Sequence, residues 1–115
     1  MKKIYVVSML AIVSLTLAYC SASKKAARIP KSTFAANLST VISANCAPCH
    51  IPALGGNKKA YDNYANVQTD IDEMIRRIEL NPTDRGFMPF KKTEKLPVEI
   101  VDAFKKWKAD GMLEK

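Results

Sequence analysis

One histidine serves the whole 115-residue chain, and of its three cysteines Cys20 lies far from the other two. A tetrahedral zinc site therefore lacks donors, because Cys46 and Cys49 have only His50 to join them. A thiol-redox pair is disfavoured on other grounds: it calls for a neighbouring strand–helix unit, and no such unit is visible. No segment alternates at the two-residue period of a strand, which argues against a sheet. Internal repeats are absent too, and no nucleic-acid recognition motif accompanies the basic residues. What remains is an all-α domain.

The first residues do not belong to that domain. Lys2 and Lys3 give a positive start, Ile4 to Leu17 is an almost unbroken apolar run, and small or polar residues follow at Ser21, Ala22 and Ser23. This layout predicts a secretory signal over residues 1–22, too short and wrongly flanked for a stable membrane-spanning helix. Leu17-Ala18-Tyr19-Cys20 resembles a lipoprotein cleavage box, which would make Cys20 a lipidated first residue and a membrane anchor. The alternative is an ordinary cut after Ala22 or Ser23 that discards it. Residues 23–31, with Lys24, Lys25, Arg28 and Lys31 among alanines and serines, read as a solvated linker. The formal net charge of +7 falls to about +5 once Lys2 and Lys3 leave. Such a balance favours acidic partners or an anionic membrane surface, and the expected location is outside the cytoplasm, in a periplasm.

Cys46-Ala47-Pro48-Cys49-His50 carries the chemistry. Two thiols with two residues between them can form thioether bonds to the two vinyl groups of one porphyrin, with the adjacent imidazole beneath the iron. The motif thus reads as the attachment site of a single haem c, bound through Cys46 and Cys49, with His50 as proximal iron ligand. Export fits, since covalent haem attachment in bacteria takes place outside the cytoplasmic membrane. The sixth ligand largely decides function: a strong one favours electron transfer, an open position admits small molecules. Met88, in a loop between Gly86 and Pro89, is the candidate, whereas Met74 fits the core face of a helix and Met112 a fraying end.

The domain, residues 32–115, is small enough that a bound apolar cofactor would relieve its shortage of core. A first helix is expected from Ser32 or Thr33 to about Asn45, with Phe34, Leu38, Val41 and Ile42 on its apolar face. Ile51 to Asn57, broken by Pro52 and the Gly55-Gly56 pair, reads as a loop. Thr69-Asp70-Ile71-Asp72 has the look of a capping box for a second helix that Asn81-Pro82 stops, with Ile71, Met74, Ile75 and Ile78 inward. A last helix follows Pro97, buries Ile100, Val101, Phe104 and Trp107, and ends at Gly111.

Taken in order, these pieces resemble a small single-haem class I cytochrome c, from Phe34 to about Gly111. The resemblance implies the cytochrome c fold, thioether anchors at Cys46 and Cys49, and axial ligation of iron by His50 and Met88. It also implies that the first and last helices cross beside the haem, so that Phe34 and Leu38 meet Phe104 and Trp107. Many family members orient the imidazole with the proline carbonyl of a downstream Gly-Pro pair. This chain has no such pair, so a different backbone carbonyl is expected to take that part. Tyr61, Tyr64, Arg77 and Arg85 are candidates to bond haem propionates, beside their plainer reading as packing or solvated charge.

The expected function is that of a one-electron carrier, not an enzyme, passing electrons between redox partners. Lys91, Lys92 and Lys95 after Met88, with Lys105, Lys106 and Lys108 on the last helix, suggest a positive rim for acidic partners, or simple solvated decoration. The alternative is a haem-based sensor or enzyme with an open or labile sixth position, though no second histidine is present for peroxide cleavage.

Overall fold

The computed structural model describes residues 29–115, of which Lys31–Lys115 form the unit considered below. The expected signal, Cys20 and most of the expected linker lie outside the described residues. Three helices carry the fold: α1 (Ser39–Cys46), α2 (Tyr64–Glu79) and α3 (Val98–Ala109). A five-residue π stretch, Phe34–Leu38, leads into α1, and a 3-10 turn, Pro52–Leu54, follows it. Among the described residues there is no β-strand, only an isolated bridge between Thr33 and Leu113. The domain is all-α, as expected. None of its described helices is long and apolar enough to cross a membrane.

Thr33 is the cap of the first helix. Its hydroxyl accepts from the Ala36 N–H at 3.2 Å, while its own N–H donates to Asn37 Oδ1 at 2.9 Å. The N–H groups of Phe34 and Ala35 donate to the carbonyls of Leu113 and Glu114 at 2.8 and 2.9 Å. The far end of the chain thus satisfies donors that a helix start leaves without partners. The amides of Leu38 and Ser39 reach back five residues, to Thr33 and Phe34, which widens this turn into a π stretch. Phe34, Leu38 and Ile42 then fall on one buried face.

The second helix starts earlier than Thr69-Asp70 suggested. Asn63 caps it, its Oδ1 accepting from the Asn66 N–H at 3.1 Å, and Thr69 sits inside with its hydroxyl donating to the Ala65 carbonyl. The reason is burial: Val67 is fully covered, so the apolar stripe Val67, Ile71, Met74, Ile78 runs a turn further back than the capping-box pattern allowed.

Helix α3 begins after Pro97 and buries Val101, Phe104 and Trp107. At its end Gly111 takes φ +99, its N–H donating to Lys108 and that of Met112 to Trp107. This is the Schellman arrangement, in which a left-handed residue lets the chain turn back onto the last carbonyls. Met112 is therefore not a fraying end. It packs half-buried against the core, and its carbonyl accepts from the Tyr64 hydroxyl at 3.0 Å. Trp107 Nε1–H donates to the next carbonyl, Leu113, at 2.8 Å. Phe34, Tyr64 and Trp107 meet mutually edge-on or tilted, with ring centroids 5.9 to 6.3 Å apart. The first and last helices thus meet as expected, with Leu38 and Phe104 in the same buried cluster.

Candidate functional site

Helix α1 ends on Cys46. Ala47 turns extended because Pro48 follows it, and a residue before proline is pushed out of helical geometry. The His50 N–H then reaches back to the Cys46 carbonyl at 3.1 Å, and the Ile51 N–H to that of Pro48 at 3.0 Å. Two thiols and one imidazole are thereby carried on a single tight turn. Cys46 is half-buried against the core and Cys49 exposed, both as free thiols.

The segment after the motif folds back over it. Gly55 takes φ +83 to reverse the chain, and Gly56 then passes so close that a Cβ there would lie 2.3 Å from the Pro48 carbonyl oxygen and 2.6 Å from that of Cys49. Only glycine fits at Gly56. The Lys58 N–H donates to the Cys49 carbonyl at 3.0 Å and the Tyr61 N–H to that of His50 at 2.9 Å.

This wrapping decides the state of the imidazole. His50 Nδ1 lies 2.8 Å from the Lys59 carbonyl oxygen. A carbonyl can only accept, so the proton is assigned to Nδ1, and in the neutral ring Nε2 then keeps its in-plane lone pair. Tyr61 stacks on the face of the same ring, centroids 4.5 Å apart and planes 14° from parallel. It covers the π face and leaves the lone-pair direction alone. The orienting carbonyl that the sequence left unassigned is that of Lys59, and the glycine pair was the one trace of the close approach behind it.

Burial pushes the Cys46 thiol up to about 11, so it stays protonated at neutral pH. That is a poor setting for a redox thiol, which acts as thiolate. Among the described residues no three His, Cys, Asp or Glu side chains converge as a metal cluster. The donor set suits a broad planar group better: two thiols to anchor its edge and a separate, oriented nitrogen for its metal. On this chemistry Cys46, Cys49 and His50 fit a covalent haem. No protein-family model, curated protein or solved structure matches this chain.

Met88 lies beyond α2, in the loop that Gly86 opens with φ +95. Its N–H donates to the Arg77 carbonyl at 3.2 Å, and its side chain is half-buried at the core's edge. Met88 and His50 are related through α2: Met88 hangs from Arg77, and Tyr61, the ring on His50, donates its hydroxyl to Asp70 at 3.0 Å. Those two helix positions are two turns apart, about 10 Å along the axis. Met74 is buried in the core, as its spacing indicated.

The other expected contacts divide. Tyr61 and Tyr64 have a single phenolic proton each, and these go to Asp70 and the Met112 carbonyl. Burial first, and then the hydrogen bond to Asp70, push the Tyr61 phenol up to about 12, so it remains a donor. Arg77 pairs with Glu73 at 2.6 Å, and Arg85 is exposed. On the lysines, Lys105 pairs with Glu79, Lys106 with Asp110 and Lys108 with Asp72, while Lys95 donates to the Glu79 carbonyl. Among the described residues Lys91 and Lys92 make no ion pair. Lys91 instead lies over the ring of Phe90, which is 68% exposed beside Met88-Pro89.

Proposed function

We propose that this chain is an exported one-electron carrier of the c-type cytochrome kind, holding a single haem c through thioether bonds from Cys46 and Cys49. The observation that carries the reading is the His50 imidazole: Nδ1 is tied to the Lys59 carbonyl, which in the neutral ring leaves the lone pair on Nε2, and two free thiols stand on the same turn of the chain. When bound, the haem iron supplies reversible ferric–ferrous chemistry. His50 and Met88 are the side chains that would hold its iron, and a thioether ligand would favour the reduced state relative to a second nitrogen. Tyr61 and the wrapped loop keep the imidazole from rotating between redox states, so little of the chain has to rearrange. A cytochrome c fold would account for the contact between the first and last helices and for the loop that follows the motif. The chain is then to be found in a periplasm, either lipid-anchored through Cys20 or released by a later cut.

Partners follow from charge. The helix lysines are internally paired, so the exposed Phe90 with Lys91 and Lys92, next to Met88, is the patch offered to an acidic redox partner.

The test is the absorption spectrum of protein expressed with a haem-attachment system, oxidised and reduced, for wild type and Met88→Ala. The expected result is haem that survives denaturation, with a far-red sulfur-to-iron band that disappears in the variant. Absence of covalent haem in the wild type would overturn the reading. Covalent haem without the band would move the function to sensing or catalysis at an open sixth position.

A further inference from the structure

Asp70 stands on α2, outside the motif and its loop, yet one of its oxygens gathers two residues that touch His50. Oδ2 receives the Lys59 ammonium at 2.7 Å and the Tyr61 hydroxyl at 3.0 Å. Lys59 supplies the carbonyl on His50 Nδ1, and Tyr61 supplies the ring stacked on its face. Between them, the Ala60 carbonyl accepts from Asn66 Nδ2 at 2.9 Å. Asn66 and Asp70 are four residues apart and so share one face of α2. Three consecutive residues, 59 to 61, are therefore pinned by one helix face. Tyr61 is fixed at both ends, since its N–H donates to the His50 carbonyl while its hydroxyl is held by Asp70.

We infer that Asp70 is a positioning residue for His50, holding through Lys59 and Tyr61 both the carbonyl that orients the ring and the ring that covers it. This rests on the proposed ligand role of His50. Its physical content is that a hydrogen bond at Nδ1 makes the imidazole a stronger electron donor at Nε2. A firmly held Lys59 carbonyl keeps that bond short, and a stronger donor favours the oxidised metal. Asp70 stays ionised in this position, because the Lys59 ammonium above all, and then the Tyr61 hydroxyl, hold its carboxyl below the usual range.

The test uses the mature, haem-loaded protein and compares Asp70→Ala, Asp70→Asn and Asp72→Ala. Asp72 is on the same helix, paired with Lys108 and 75% exposed. Two quantities are read, the midpoint potential and the proton NMR signals of the His50 ring. Asparagine keeps an oxygen for the Tyr61 hydroxyl but loses the charge that holds Lys59, so the two Asp70 variants separate positioning from electrostatics. The expected order is a rise in potential that is largest for Asp70→Ala, smaller for Asp70→Asn and smallest for Asp72→Ala, with the His50 ring signals displaced only in the Asp70 variants. Equal shifts for alanine and asparagine with unmoved ring signals would reduce Asp70 to a distant charge and overturn the inference. So would potentials that match wild type in both Asp70 variants. A wild type that takes up no haem overturns the proposed function and the inference together, whereas a loaded wild type with silent variants sinks the inference alone.

Discussion

The His50 side of the site and the Met88 side are held by unlike means. Around His50 the chain from Cys46 to Tyr61 makes backbone hydrogen bonds within itself, packs Gly56 against the motif carbonyls and fixes the ring at Nδ1 and on one face. Around Met88 one backbone bond, to the Arg77 carbonyl, ties the loop to α2, and the next residues run outward to an exposed Phe90 and a Lys91 at φ +64. The difference matches the proposed ligands. An imidazole has two nitrogens whose proton must be placed before either can serve a metal, so its surroundings have to be built. A thioether has no donor and scarcely accepts, so it asks only for space and a flexible stem.

The contrast breaks first on removing each proposed ligand. His50→Ala should abolish stable haem incorporation, while Met88→Ala should keep covalent haem and lose only the sulfur band. Haem staining after denaturing electrophoresis, with spectra of the native proteins, checks both. Equal retention by the two variants would erase the distinction.

The glycines sharpen it next. Gly56→Ala forces a Cβ onto two backbone oxygens that cannot move aside cheaply, at a cost of about 3 kcal/mol or more. Gly86→Ala on the Met88 side has its nearest neighbour, Leu80 Cδ1, at 3.9 Å, so only left-handed strain remains, roughly 1–2 kcal/mol. Denaturant unfolding of the two variants should show that ranking.

Acid should loosen the His50 side. The carboxyl of Asp70 is held below its ordinary 3.8, chiefly by the Lys59 ammonium. A depressed folded value means the stabilisation is present above about 4 and is lost as the pH falls below that. Glu73 behaves alike, lowered to about 2 by Arg76 and then Arg77. Melting temperatures from pH 6 to 2 should therefore fall less steeply for Asp70→Asn than for wild type; identical slopes would remove Asp70 from the acid response.

Smallest in stability is the proposed docking patch. Lys91→Glu with Lys92→Glu should leave unfolding free energy within about 0.5 kcal/mol of wild type, as exposed positions do. The same change should slow electron exchange with an acidic partner and flatten its salt dependence. Unchanged stopped-flow rates would rule the patch out.

Much of the architecture was legible in the chain. Phe34, Leu38 and Ile42 repeat at helical spacing, Pro97 and Gly111 bracket the last helix, and the motif stands in consecutive residues. These are local signals, and local physics suffices for them. The start of α2 misled because Thr69 and Asp70 look like a cap when read alone, while the burial of Val67 that favours the Asn63 start is a tertiary fact. Met112 looked like a loose end because the Tyr64 hydroxyl that donates to its carbonyl is remote in sequence.

The order of residues alone made the protein helical, chose which helix faces are buried, and brought two thiols and one imidazole together on one turn. Spacing and turn chemistry settle such things within a few residues. Folding in three dimensions decided which carbonyl meets His50, that Tyr61 lies on its ring, and that Asp70 reaches both from another helix. Those are meetings between residues whose distance in space is set by how the loop folds back and how α2 packs, and no periodicity in the chain encodes them.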